Sequence, residues 1–202
     1  MMKPLLLIVL ATLAGCAGTP RSGAIVSVYD FGPPAATASN ASANSGRQMA
    51  LEVRAAPWLD APSITYRLAY DEPLKRRQYA ESRWASQPAS LLAQYLLQKA
   101  GLVAANGGAV TSCVTRLSLH EFSQLFETPQ ISHAIVQGKV DVVDGKRRIV
   151  ASQHLRVQTP AASANASGGV SALVAASGEL ATQLRDWLDR LEADGVLKNC
   201  GG

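Results

Sequence analysis

The chain has 202 residues, 48% of them apolar and 5% aromatic, with 19 Lys and Arg against 15 Asp and Glu for a net charge of +4. That length fits one domain with a substantial core. The basic excess is mild and is not gathered into a long Lys/Arg run, so the footprint of nucleic-acid binding is missing. No apolar segment reaches the roughly 20 residues that a membrane-spanning helix needs.

The first 15 residues read as a secretory signal peptide, with one positive charge at Lys3 and an apolar run from Leu5 to Ala11 that is too short to span a bilayer. The run ends in Leu13-Ala14-Gly15-Cys16, which resembles the bacterial lipobox. That resemblance implies cleavage between Gly15 and Cys16, a diacylglyceryl group on the Cys16 sulfur and acylation of the new amino group. Three acyl chains exceed the two signals that stable anchoring takes. Ala17 stands where an Asp commonly retains such proteins at the inner membrane, so the expected location is the outer membrane, facing the periplasm. Residues 16–23 are then a lipidated tether of small and polar residues, and residues 24–202 the domain it carries.

Ala24 to Gly32 reads as a first strand, closed by Pro33-Pro34, and residues 35–47 are Ala, Ser, Asn, Thr and Gly with almost nothing to bury. Residues 50–56 alternate as a second strand. Pro57-Trp58-Leu59-Asp60-Ala61-Pro62 follows, where two prolines exclude a regular helix and make a rigid turn that presents Trp58 and Leu59. Residues 63–70 read as a third strand with Ile64, Tyr66 and Leu68 on one face and Thr65, Arg67 and Ala69 on the other. Lys75-Arg76-Arg77 then forms a basic patch that leads to Trp84. The patch reads either as a docking surface for an acidic partner or lipid headgroups, or as a solvated edge strand whose charges block aggregation.

Pro88 starts a helix that runs to about Ala100, with Leu91, Leu92, Tyr95 and Leu96 along one side and Gly101 as its stop. Asn106-Gly107-Gly108 is a turn. The second half reads as an antiparallel meander: residues 111–127 with a change of phase near Glu121-Phe122, residues 131–143, a tight turn at Asp144-Gly145, and a return strand to Val157 that buries Ile149, Ala151, Leu155 and Val157. A small-residue loop from Thr159 to Gly169 precedes a last helix over residues 170–192, whose stripe includes Leu173, Leu180, Leu184, Trp187 and Leu188. The expected fold is α+β, an antiparallel sheet with two amphipathic helices packed on one face, in a single domain.

Cys113 and Cys200 remain as an even pair in an oxidising compartment, and a disulfide is the favoured reading over one buried and one loose thiol. His120, His133 and His154 lack metal-ligand spacing and fall on the polar faces of the strands, so no metal site is expected. There is no Gly-x-Ser-x-Gly, acidic pair, phosphate loop or Cys-His couple, hence no catalytic residue and no enzyme. Apart from the covalent lipid on Cys16, no cofactor is expected.

The lipobox at Cys16, the strand ending Tyr29-Asp30-Phe31-Gly32, the segment from Pro57 to Arg67, and Arg83-Trp84-Ala85 running into an amphipathic helix together resemble the ABC-type transport auxiliary lipoprotein family. The resemblance spans essentially the whole domain. It implies a lipoprotein subunit working with ABC transporter components and an MCE-domain protein in lipid traffic between the two membranes, docking the MCE protein at the outer membrane. The residues expected to carry that contact are Trp58, Leu59, Asp60, Tyr66, Arg67, Lys75, Arg76, Arg77 and Trp84, with either Trp equally open to a place in the core. The membrane is reached through the lipid anchor, nucleic acid is not a partner, and a homo-oligomer is open. Two other classes remain: a carrier that holds lipid between helix and sheet, and an envelope-assembly lipoprotein that escorts an outer-membrane protein.

Overall fold

Alternating apolar residues in the second half of the chain build the centre of the sheet. The computed structural model describes residues 25–33, 49–105 and 112–200; the lipobox, the tether, the small-residue loop over residues 35–47 and the Asn106-Gly107-Gly108 turn lie outside them. The strands are β1 (Ser27–Tyr29), β2 (Ala50–Ala55), β3 (Ser63–Leu68), β4 (Arg77–Trp84), β5 (Val103–Ala104), β6 (Cys113–Phe126), β7 (Ser132–Asp144) and β8 (Ile149–Pro160). Among the described residues there are also two α-helices, α1 (Pro88–Ala100) and α2 (Ala166–Ala193).

The α+β architecture with two helices stands, but the sheet is mixed rather than antiparallel. β6, β7 and β8 form the expected antiparallel meander. β2 and β3, however, both run parallel to β6, one after the other along the same edge: Ala50–Ala55 pairs with Val114–Leu119, and Tyr66–Leu68 with Gln124–Phe126. β4 returns antiparallel on β3, and short β1 and β5 add parallel to β4 and β2. The parallel pairings exist because the chain leaves along β4 and comes back through α1 before entering β6, a crossover that a run of hairpins does not contain. The sheet therefore forks at the middle of β6, with β2 on one branch and β3 on the other.

α1 has the bounds its sequence indicates, with Pro88 in its first turn and Gly101 closing it in the left-handed region at φ 67°. α2 begins at Ala166, before Val170, because the Asn165 side chain caps it by accepting from the Gly168 N–H at 2.9 Å. The glycines that suggest a loop there serve close packing instead: a Cβ on Gly169 would lie 2.1 Å from the Gln124 Oε1. Leu92 and Leu96 of α1 and Leu173, Leu180, Leu184 and Leu188 of α2 are fully buried against Ile64, Leu117, Leu119, Val136, Val140 and Val142 of the sheet. Each such leucine contributes about 2 kcal/mol of burial. Among the described residues no helix is long and apolar enough to cross a membrane.

Three local expectations are corrected. The Asp144 carboxylate accepts from the main-chain N–H groups of Lys146 and Arg148, so the hairpin is a longer loop whose left-handed residue is Arg147 at φ 63°, not Gly145. Ile149 is exposed rather than buried, because the ladder shifts register between Val142 and Val143 just where it pairs. His133 is buried rather than solvent-facing, with its ring beside Gln158 Nε2 and 3.4 Å from Glu127.

Candidate functional site

The chemistry-bearing residues of the first half gather at the fork. Between β2 and β3 the prolines allow one short 3-10 turn, Pro57–Leu59, where a rigid turn without helix was expected. This turn sits against the bulge in β6, where the register jumps from Leu119 to Glu121 and His120 has no ladder partner. The His120 carbonyl accepts instead from the indole Nε1 of Trp58 at 3.4 Å, and the Leu119 carbonyl from the N–H of Ala56 at 3.0 Å. Trp58 is thereby held in place while 59% of it stays exposed.

Beside Trp58 lies an open depression of about 530 Å³, lined by Leu59, Ala61, Ser63, Thr65, Tyr66, Arg76, Arg77, Gln78 and Pro88 as well as the indole. Five of the nine residues expected at a partner interface, Trp58, Leu59, Tyr66, Arg76 and Arg77, thus share one surface. Tyr66 is fixed by ring contacts to Tyr79 at 4.7 Å and Phe126 at 5.7 Å. Arg76 is fixed by Glu121, whose two oxygens receive its Nη1 and Nη2 at 2.8 Å each, and by Thr65 Oγ1 at 3.2 Å. Burial pushes the Glu121 carboxyl up, but the Arg76 hydrogen bonds and charge, the Ser123 hydroxyl and Arg67 outweigh it and hold the group below the usual carboxylate value.

The remaining expectations separate. Trp84 is 1% exposed and packs on Phe31 and Phe122 at 5.7 Å, so it is a core residue. Leu59 is also buried and forms the floor beneath Trp58 rather than a projection. Asp60 is exposed at the rim. The basic patch is not a free cationic surface. Lys75 pairs with Glu72 at 2.8 Å, Arg77 with Asp71 and Glu72 at 3.0 and 2.9 Å, and Arg67 with Glu121 at 3.5 Å and the Leu74 carbonyl at 3.0 Å. The three cations are adjacent in sequence, but Asp71 and Glu72 precede them at the spacing that a hairpin brings together. Sequence reasoning missed Glu121, the acid that organises Arg76; its one signal was its place at the phase change of β6.

Away from the fork, a disulfide joins Cys113 at the start of β6 to Cys200, tying the end of the chain to the sheet across 87 residues. Cys113 and Cys200 are both buried.

A family model described as an ABC-type transport auxiliary lipoprotein component matches residues 29–185, most of the chain. Among solved structures, the chain is similar to a Xanthomonas campestris protein assigned to DUF330, with a TM-score of 0.60 and 19% identity over 70% of this chain and 82% of that one. It is similar also to a protein described as uncharacterized, with a TM-score of 0.64 and 10% identity over 81% of this chain and 99% of that one. At these identities the likeness is one of fold. No curated protein matches the chain.

Proposed function

The chain belongs to the ABC-type transport auxiliary lipoprotein component family, and from that premise we propose that it is the lipoprotein subunit of an ABC/MCE-type intermembrane lipid transport system. In this reading Cys16 carries the lipid, the domain stands at the outer membrane facing the periplasm, and the depression beside Trp58 docks the MCE-domain protein. One observation carries the docking step: an indole that is 59% exposed yet pinned to the His120 carbonyl, beside an arginine pair held rigid by acids. An aromatic anchor that loses little freedom on association, flanked by Arg, is the composition of an interface hot spot. The role is one of binding and assembly, without a catalytic centre of its own.

The carrier alternative is disfavoured by the packing between the layers. An acyl chain held between helices and sheet needs space there, and Leu92, Leu96, Leu173, Leu180 and Leu184 fill that layer at 0% exposure. The test is a crosslinking pull-down of the lipidated protein from membranes, with Trp58→Ala beside the unchanged chain. Recovery of an MCE-domain protein that falls at least several-fold in the variant supports the proposal. Recovery of an outer-membrane barrel in its place would replace docking with escort.

A further inference from the structure

Exposed apolar side chains stand at both ends of the sheet, Ile149 at 57% and Val150 at 36% by the β7–β8 hairpin and a second group at the other end. β3 and β6 run parallel and end together, with the Ala69 N–H donating to the Phe126 carbonyl at 2.8 Å. The β3–β4 and β6–β7 loops therefore leave the sheet side by side. These loops carry Leu74, 93% exposed, Tyr70, 49% exposed, and Ile131, 56% exposed, which closes the β6–β7 turn by accepting from the Glu127 N–H at 2.9 Å. β1 lies parallel to β4 with Ser27 opposite Ser82, so the chain preceding Ser27 runs toward the start of β4, at this same end. Cys16 is nine residues before Ile25, a length that reaches at most about 30 Å even when fully extended.

From these placements we infer that the loop end bearing Leu74 and Ile131 rests on the phospholipid bilayer, with both side chains in the headgroup boundary, and that this contact fixes the orientation of the domain on its membrane. The inference rests on the lipid anchor at Cys16 assumed above. The described chain heads toward this end at residues 25–26 with Cys16 only nine residues further back, and the apolar side chains found there have no other cover among the described residues. The charges around them suit such a place: Asp71 and Glu72 are taken up by Arg77 and Lys75, and Glu127 lies against His133, so the end presents its apolar tips without a free acidic cluster to repel anionic headgroups. Each tip adds apolar area to the anchoring already provided by the acyl chains. The opposite end, with the β7–β8 hairpin and Val150, is then directed away from the membrane, and the depression beside Trp58 opens on the side between the two.

The test uses the full lipidated protein reconstituted into vesicles of phosphatidylethanolamine and phosphatidylglycerol without any other protein. Leu74→Cys, Ile131→Cys and Val150→Cys are labelled singly with an environment-sensitive fluorophore; the native cysteines are taken up by lipid and by the disulfide. All three positions are exposed, so the variants keep the fold. The expected result is blue-shifted emission and roughly threefold weaker quenching by aqueous iodide at positions 74 and 131 than at 150. Equal quenching at all three, with lipid on Cys16 confirmed by mass spectrometry of the same sample, overturns the orientation alone. A Cys16 that carries no lipid overturns the anchor reading, and the orientation with it.

Discussion

Arg76 and Glu121 meet through two parallel hydrogen bonds, Nη1 to Oε1 and Nη2 to Oε2, both 2.8 Å long. The pair ties the segment between β3 and β4 to the bulge of β6, and so fixes Arg76 in the lining of the depression. The folded protein holds this carboxyl below the usual carboxylate value, whereas the unfolded chain leaves it near that value. A depressed folded value contributes stability that is present above the unfolded pKa and is lost as pH falls through the folded one. Glu121→Gln should therefore be less stable than the unchanged chain by about 2 kcal/mol at pH 7, with the gap closing toward pH 3. Urea denaturation at a series of pH values measures this, and a gap that does not change between pH 7 and pH 3 contradicts the role given to the pair.

Gly138 sits opposite Leu119 next to the bulge, where a Cβ would meet the Ser118 carbonyl oxygen at 2.6 Å and Leu117 Cδ1 at 3.0 Å. The main-chain oxygen cannot step aside without disturbing the ladder. Gly138→Ala should cost about 2 kcal/mol, a drop in Tm of several degrees, read by calorimetry against an Ala substitution at exposed His154.

The Cys113–Cys200 bridge closes a separation of 87 residues. By chain-entropy arguments a loop of that length is worth about 4.6 kcal/mol. Cys200→Ser should lower Tm without reductant and make the protein insensitive to dithiothreitol, while the unchanged chain loses stability on reduction. Equal melting of the two chains under oxidising conditions would show that the bridge contributes nothing.

The two tryptophans should separate cleanly. Trp84→Ala removes a buried ring from the Phe31 and Phe122 cluster and should cost about 3 to 5 kcal/mol. Trp58→Ala removes a mostly exposed ring with one long hydrogen bond and should change stability by under about 1 kcal/mol. Thermal melts of both variants decide this, and a Trp58→Ala protein as unstable as Trp84→Ala would make Trp58 a structural residue.

Much of the architecture was legible along the chain because one-dimensional rules governed it. Helix α1 is bounded by Pro88 and Gly101, the bulge of β6 shows as a change of phase, and the meander follows from period-two valines. The parallel placement of β2 and β3 was not legible, since strand alternation carries no direction. Nor was the pairing of Lys75, Arg76 and Arg77: local sequence shows three cations, and the acid that holds Arg76 comes from Glu121, 45 residues away. Trp58 and Trp84 looked alike because both follow strand-like segments beside polar residues. What parts them is the fork, which leaves one at the surface and sets the other under the helices.

The most direct test of the docking account places a photocrosslinkable amino acid at position 58 and, separately, at position 150, in the full lipidated protein in its native membranes. The account predicts an adduct with an MCE-domain protein from position 58 and none from position 150. Equal adducts from both positions, or none from position 58, would contradict it.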